Sequence, residues 1–241
     1  MQVSKSHGLS MNSYQLKLVA LSTMIIDHVA FVFQNQMPHT LYLLMRGIGR
    51  ISFPIYCFLL VEGFFHSRSR RNYLIRLSIF CILSELPFDL AFYYDTSQAN
   101  HASFLDLMHF SHQNVFFTLT IGFLAICLLE RYAGRQSIAL LSIFLLPCLA
   151  EYLCFDYGSV GVMTILLFYY HRKIGRLPLW AGLVPLLLLA ILGSQIELAC
   201  IACLPFLLSY NGEKGKSGWK YLFYAAYPLH LLFLFCLKIF L

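Results

Sequence analysis

The stretch "STMIIDHVAFVF", residues 22–33, lies inside an apolar run over about 15–35. A helix of roughly 20 residues is long enough to cross a ~30 Å hydrocarbon core. Asp27 and His28 nevertheless stand side by side in the middle of this run. An ionisable group at bilayer depth costs on the order of 3 kcal/mol and normally faces the interior of a bundle. The stretch therefore reads as a membrane helix with one side turned to a polar interior.

The rest of the chain follows the same pattern. Of its 241 residues, 59% are hydrophobic and 12% charged. That is about half the charge of an ordinary soluble domain, and the mean hydropathy is +0.71. Continuous apolar segments recur near 15–35, 41–66, 73–94, 114–131, 137–155, 157–171, 177–193, 195–210 and 219–240. They are continuous rather than alternating, which argues against a β-barrel. The expectation is one all-α domain over 1–241, a polytopic integral membrane bundle of about nine transmembrane helices. The N-terminal "MQVSKSHGLSMNSYQLK" reads as a short polar tail with no cleavable signal.

Lys and Arg set the expected orientation. Lys5, Lys17, Arg68, Arg70, Arg71, Arg131, Arg135, Arg172, Lys173, Arg176, Lys214, Lys216 and Lys220 flank alternate ends of the segments. The intervening loops near 36–40, 95–113, 155–158 and 193–195 carry neither residue. The positive-inside rule then predicts a cytoplasmic N-terminus and an external C-terminus. Lys238 dissents, and a near-terminal lysine reaches an interface by snorkelling. The net charge of +6 is accordingly a topology signal, and no nucleic-acid partner is expected.

The ionisable residues inside the segments are the candidates for function. Arg46 and Arg50 are spaced i,i+4, as are Glu85 and Asp89, so each pair shares a helix face. An ion pair between these two faces is expected. Pro87 and Pro228 each remove a helical N–H. His230 follows Tyr227 by three residues and lies near His28 in depth. Glu151 and Glu197, near segment ends, are expected at the interface. His101, His109 and His112 with Asp106 are too loosely spaced for a metal site, and no metal is expected. Cys200 and Cys203 form a CxxC pair that on a membrane helix is an i,i+3 pair of small apolar residues. No phosphate-binding glycine loop and no GxSxG elbow is present. A neutral imidazole is the natural base near pH 7, and a neighbouring carboxylate can hold its tautomer. The Asp27–His28 pair is therefore read as a proton-handling unit, with Asp27 orienting His28.

Five stretches, "MIIDHVAFVF" (24–33), "RGIGRISFPIYCFLLVEGF" (46–64), "QNVFFTL" (113–119), "YGSVGVMTILLF" (157–168) and "FYAAYPLHLLFL" (223–234), resemble the TraX family in order and spacing. These are polytopic membrane acetyltransferases, named for the protein that N-acetylates F pilin and similar to the wider transmembrane acyltransferases. The match carries Asp27, His28, Gly49, Arg50, Phe53, Pro54, Asn114, Tyr157, Gly158, Gly161 and His230. The resemblance implies acetyl-CoA as donor and a multi-pass protein of the bacterial inner membrane. It leaves the acceptor open among a pilin-like N-terminus, a peptide and a cell-surface glycan.

The expected reaction is transfer of acetyl from cytoplasmic acetyl-CoA to an amine or hydroxyl, with Asp27, His28 and His230 as catalytic residues: His28 is the general base oriented by Asp27, and an acetyl-histidine on His28 or His230 is left open. Arg46, Arg50, Arg76, Asn114 and Tyr227 are expected to bind the co-substrate or stabilise its oxyanion. The partners are the lipid bilayer, acetyl-CoA and the acceptor, with a homo-oligomer left open. A tunnel is expected from the basic face to the two histidines. The rival reading is a proton-coupled transporter using the same acids and histidines as a relay. The nine-segment topology predicts that reporter fusions at residues 70, 104, 133 and 214 read inside, outside, inside and inside. An external reading at 133 or 214 breaks it.

Overall fold

A computed structural model describes residues 10–94, 112–175, 182–216, 218 and 220–241. Among them the chain is helical, with no strand beyond the isolated bridges Met11–Tyr210 and Gln113–Phe155. The helices are α1 (Ser13–Val32), α2 (His39–Gly49), α3 (Ser52–His66), α4 (Arg70–Phe92) and α5 (Val115–Arg131). Then come α6 (Gln136–Leu140), a π turn (Leu141–Leu145), α7 (Leu146–Tyr152), α8 (Gly158–Ile174) and α9 (Leu183–Leu192). A 3₁₀ segment (Gln195–Cys203), α10 (Leu204–Leu208) and α11 (Lys220–Phe240) complete the order.

Local chemistry sets the ends. Asn12 and Gln15 form a reciprocal capping box at the start of α1. Asn114 caps α5 by accepting from Phe116 N–H at 2.9 Å. Gly175, at φ 67°, closes α8 in the left-handed conformation that glycine adopts freely.

All nine apolar segments contain helix, but they are not equally long. Three helical stretches, Ser13–Val32, His39–His66 and Tyr221–Phe240, are long and apolar enough to cross a membrane. Gln136–Tyr152, Leu183–Leu192 and Gln195–Leu208 are shorter. At ~1.5 Å per residue, α9 rises about 15 Å, half a hydrocarbon core. The second segment is not one uninterrupted helix either. It breaks at Arg50–Ile51, where Gly47 and Gly49 precede the break and Pro54 withholds the N–H that would bond the Arg50 carbonyl.

Exposure is inverted relative to a soluble protein. Ile82 (73%), Phe144 (62%), Ile191 (72%) and Phe233 (62%) face outward, while Asp27, Arg50, Glu62 and Glu197 are buried. Such a surface suits lipid, and the chain is a helical protein built for contact with a bilayer.

Side-chain contacts sort the helix ends into two faces. Arg172 bonds Glu62 at 2.6 Å, Lys173 bonds Glu130 at 2.9 Å, and Met11 pairs with Tyr210. These contacts gather the N-terminus, the ends of α3, α5 and α8, and the end of α10 on one basic face. At the opposite face Gln113 pairs with Phe155 and Lys238 Nζ donates to the Tyr94 carbonyl at 2.9 Å.

Glycines allow the closest crossings. A Cβ on Gly161 would lie 2.6 Å from Thr118 Cγ2, 2.8 Å from Tyr157 Cβ and 3.0 Å from Phe53 Cζ. Helices α3, α5 and α8 meet at this point, so there is no free direction for relief. Gly161→Ala is expected to cost about 1–3 kcal/mol, seen as a lower melting temperature of the detergent-solubilised protein. An unchanged melt would show that the crossing relaxes freely.

Candidate functional site

One buried ion cluster ties four segments together. Arg50, at the α2–α3 break, donates through Nη2 to both Asp27 oxygens at 2.7 Å. Its Nη1 reaches Glu197 Oε1 at 2.6 Å and the Tyr157 hydroxyl at 3.2 Å. Arg46 Nη1 donates to Asp27 Oδ2 at 2.6 Å. Two arginines thus face two carboxylates contributed by α1 and the 3₁₀ segment. Gly49 makes the approach possible, since a Cβ there would sit 2.3 Å from Asp27 Cβ.

This overturns two expectations. Arg46 and Arg50 pair with Asp27 and Glu197, and no ion pair joins α2 to α4 among the described residues. Glu85 instead accepts from the backbone and side-chain N–H groups of Asn114. Glu197 is 7% exposed rather than interfacial, because the 3₁₀ segment folds inward against α2 and α3. Glu151 does lie at an exposed edge, accepting from Ser159.

Asp27 does not orient His28. Successive residues on a helix point about 100° apart, so Asp27 turns to the arginines and His28 turns to α11. There His28 Nδ1 lies 2.7 Å from His230 Nε2, and the two rings are 11° from parallel. His230 Nδ1 in turn lies 2.8 Å from the Ala226 carbonyl, which can only accept. The network therefore assigns the neutral tautomers in sequence: His230 Nδ1–H donates to Ala226, and His28 Nδ1–H donates to His230 Nε2. His28 Nε2 is left with a lone pair. Phe92 and Tyr227 pack edge-on against the His28 ring at 5.1 and 5.9 Å.

A cavity of about 160 Å³ brings the two groups together. Asp27, His28, Arg46, Arg50, Tyr157 and Tyr227 line it, with Phe53, Tyr93, His112 and Asp156 among the other walls. His230 does not line it and stands behind His28. Tyr157 holds a left-handed φ of 62°, which is uncommon for a bulky residue and a mark of functional sites. Its ring stacks on Phe53 at 3.7 Å. His112 and Asp156 are partly exposed at one end of the cavity and lie 3.7 Å apart. The neighbouring Asp156 carboxylate raises the His112 pKa against the opposing effect of partial burial.

The remaining candidates are elsewhere. Asn114 is wholly buried and commits its Nδ2 to Cys81 and Glu85, so it links α4 to α5. Arg76 lies 5.4 Å from the Tyr73 ring, outside the cavity. The cavity lining includes no residue of the basic face: Met24, Ser52 and Tyr56 are its members nearest that face along α1 and α3, and buried Leu16, Ala20, Leu60 and Phe64 continue those helices toward it. His101 and His109 fall outside the described residues, which contain no cluster suited to a metal. Cys200 and Cys203 are free and buried. The family resemblance carries Tyr157 through "YGSVGVMTILLF" but gives it no role of its own, and Glu197 is expected at the interface; no local signal points to its pairing with Arg50.

The fold and the site define a helical membrane protein with a buried charge cluster beside a histidine pair. The family described as "TraX protein" matches residues 12–238. The "Probable fimbrial assembly protein FimC, serogroup H1" of Dichelobacter nodosus is 35% identical, over 98% of this chain and 99% of that one. The chain belongs to the TraX family. No solved structure matches it.

Arg50 is expected to be the most sensitive residue of the cluster. Arg50→Leu strands buried Glu197 and leaves Asp27 with Arg46 alone, and should cost about 3–5 kcal/mol. Adding Glu197→Gln should recover most of that loss in the same thermal melt. A double variant no more stable than Arg50→Leu contradicts this account.

Proposed function

We propose that this protein is a membrane-embedded acetyltransferase, moving acetyl from acetyl-CoA to an amine or hydroxyl acceptor. The observation that carries the reading is the histidine pair. His28 faces a small cavity with a free Nε2 lone pair, and His230 holds the tautomer that leaves it free. His28 removes the acceptor's proton as nitrogen or oxygen attacks the thioester carbonyl; the tetrahedral intermediate then collapses with cleavage of the C–S bond, and His28 returns the proton to the departing coenzyme A thiolate. His230 does what the sequence assigned to Asp27. Arg50 and Arg46, already balanced by carboxylates, stand by the developing oxyanion without adding net charge to the site.

The cavity volume fits an acetyl thioester and excludes the nucleotide of coenzyme A, which stays outside the bundle. Membership of the TraX family and the fimbrial-assembly name of the Dichelobacter relative favour a pilin-like acceptor over a glycan. The grouping of helix ends into a basic face and a Lys/Arg-poor face supports the nine-span reading, with the basic face cytoplasmic in a bacterial inner membrane.

Radiolabelled acetyl-CoA supplied to membranes containing the protein tests the proposal. His28→Ala should lose label transfer by ~10²-fold or more. His230→Gln, which can still accept the His28 Nδ1–H, should retain more activity than His230→Leu. Undiminished transfer in a folded His28→Ala protein removes His28 from the reaction. Equal loss in the two His230 variants removes the tautomer relay.

A further inference from the structure

A second cavity, of about 260 Å³, lies on the basic face between the end of α5, the start of α6 and the end of α8. Tyr132, Arg135, Gln136, Ala139, Tyr170 and Lys173 are among its lining residues. It is separate from the histidine cavity. Tyr157 and Lys173 are sixteen residues apart on one helix, about 24 Å at ~1.5 Å per residue. Buried Val162, Ile165 and Leu166 fill the stretch between them.

Its charge is unbalanced. Lys173 Nζ bonds Glu130 Oε2 at 2.9 Å and the Tyr169 hydroxyl at 3.0 Å, so Glu130 answers one cation. Arg131 and Arg135 both lie over the Tyr132 ring, at 5.6 and 5.5 Å. Neither has a carboxylate within ion-pair distance among the described residues. The Tyr132 ring attracts both guanidinium groups through its face without using up their N–H donors, which remain available to an anion. The cavity is several times the ~30 Å³ share of one water, enough for a phosphate and part of its ester.

Its surroundings are apolar. Leu140 and Phe144 lead away from it along α6 and the π turn, and Ile174 stands beside it on α8; all three are exposed. A free phosphate would gain nothing from that surface, whereas acyl chains would cover it. We propose that this pocket binds the phosphate headgroup of an anionic phospholipid, with the acyl chains lying along Leu140, Phe144 and Ile174. Basic pockets between membrane helices recognise such headgroups by the same electrostatics. The proposal does not depend on the acetyltransferase reading.

Thermal unfolding of the full-length protein in neutral detergent tests it, with phosphatidylglycerol, phosphatidylcholine, inorganic phosphate or coenzyme A added in separate titrations. Phosphatidylglycerol should raise the midpoint in a saturable manner, and the other three should not. Arg135→Gln should weaken phosphatidylglycerol by about fivefold. Ala139→Phe, which fills the pocket without touching a charge, should weaken it by at least as much. An equal response to phosphatidylcholine reduces the effect to general lipid solvation and overturns the proposal. An equal response to phosphate or coenzyme A assigns the pocket to a soluble anion, which also overturns it. Unchanged phosphatidylglycerol affinity in either folded variant places the lipid elsewhere.

Discussion

The buried guanidinium of Arg50 is the constraint on which the centre of this molecule depends. It holds Asp27 from α1, Glu197 from the 3₁₀ segment and the Tyr157 hydroxyl at the head of α8. A charge in an apolar bundle is tolerable only when its partners surround it. Each segment that supplies a partner is therefore fixed in position. The glycines follow from this: Gly49 lets α2 reach Asp27, and Gly161 lets α8 bring Tyr157 over Phe53. The break between α2 and α3 follows as well, since Arg50 sits where Pro54 interrupts the helical ladder.

Once Asp27 is committed to arginine, His28 needs another partner, and helix geometry supplies one. The two residues diverge around α1, and the face that carries His28 packs against α11. Pro228 loosens the ladder of α11 close to where His230 takes the Ala226 carbonyl as its acceptor. A chain of fixed donors results, leaving a lone pair on Nε2 of His28, a residue that lines the cavity. The charge cluster and the histidine pair share a wall yet remain chemically distinct. The first organises the site and the second has the free group.

The two ends of the bundle differ in the same terms. The face at His112 and Asp156 opens toward the histidine cavity. Toward the basic face α1 and α3 continue through buried Leu16, Leu60 and Phe64, and Arg135 and Lys173 there line a different pocket. The polar groups of the histidine cavity and the cations of the basic face are thus separated by about one helix length of packed core.

The sequence alone determined the class of protein. Continuous apolar runs leave only helices to satisfy the backbone in lipid, and costly charges within them mark an interior site. It also determined which residues were unusual: Asp27, His28, Arg46, Arg50 and His230 all lie at or beside the cavity. Partnerships were decided by the tertiary structure. Nothing local indicates that Arg50 would choose Glu197, 147 residues away, over Glu85, or that Asn114 would be consumed in joining α4 to α5. Periodicity tells which residues share a face, whereas the choice of partner depends on which helices cross and how closely. Here small residues, a proline break and the need to neutralise one buried arginine set those crossings.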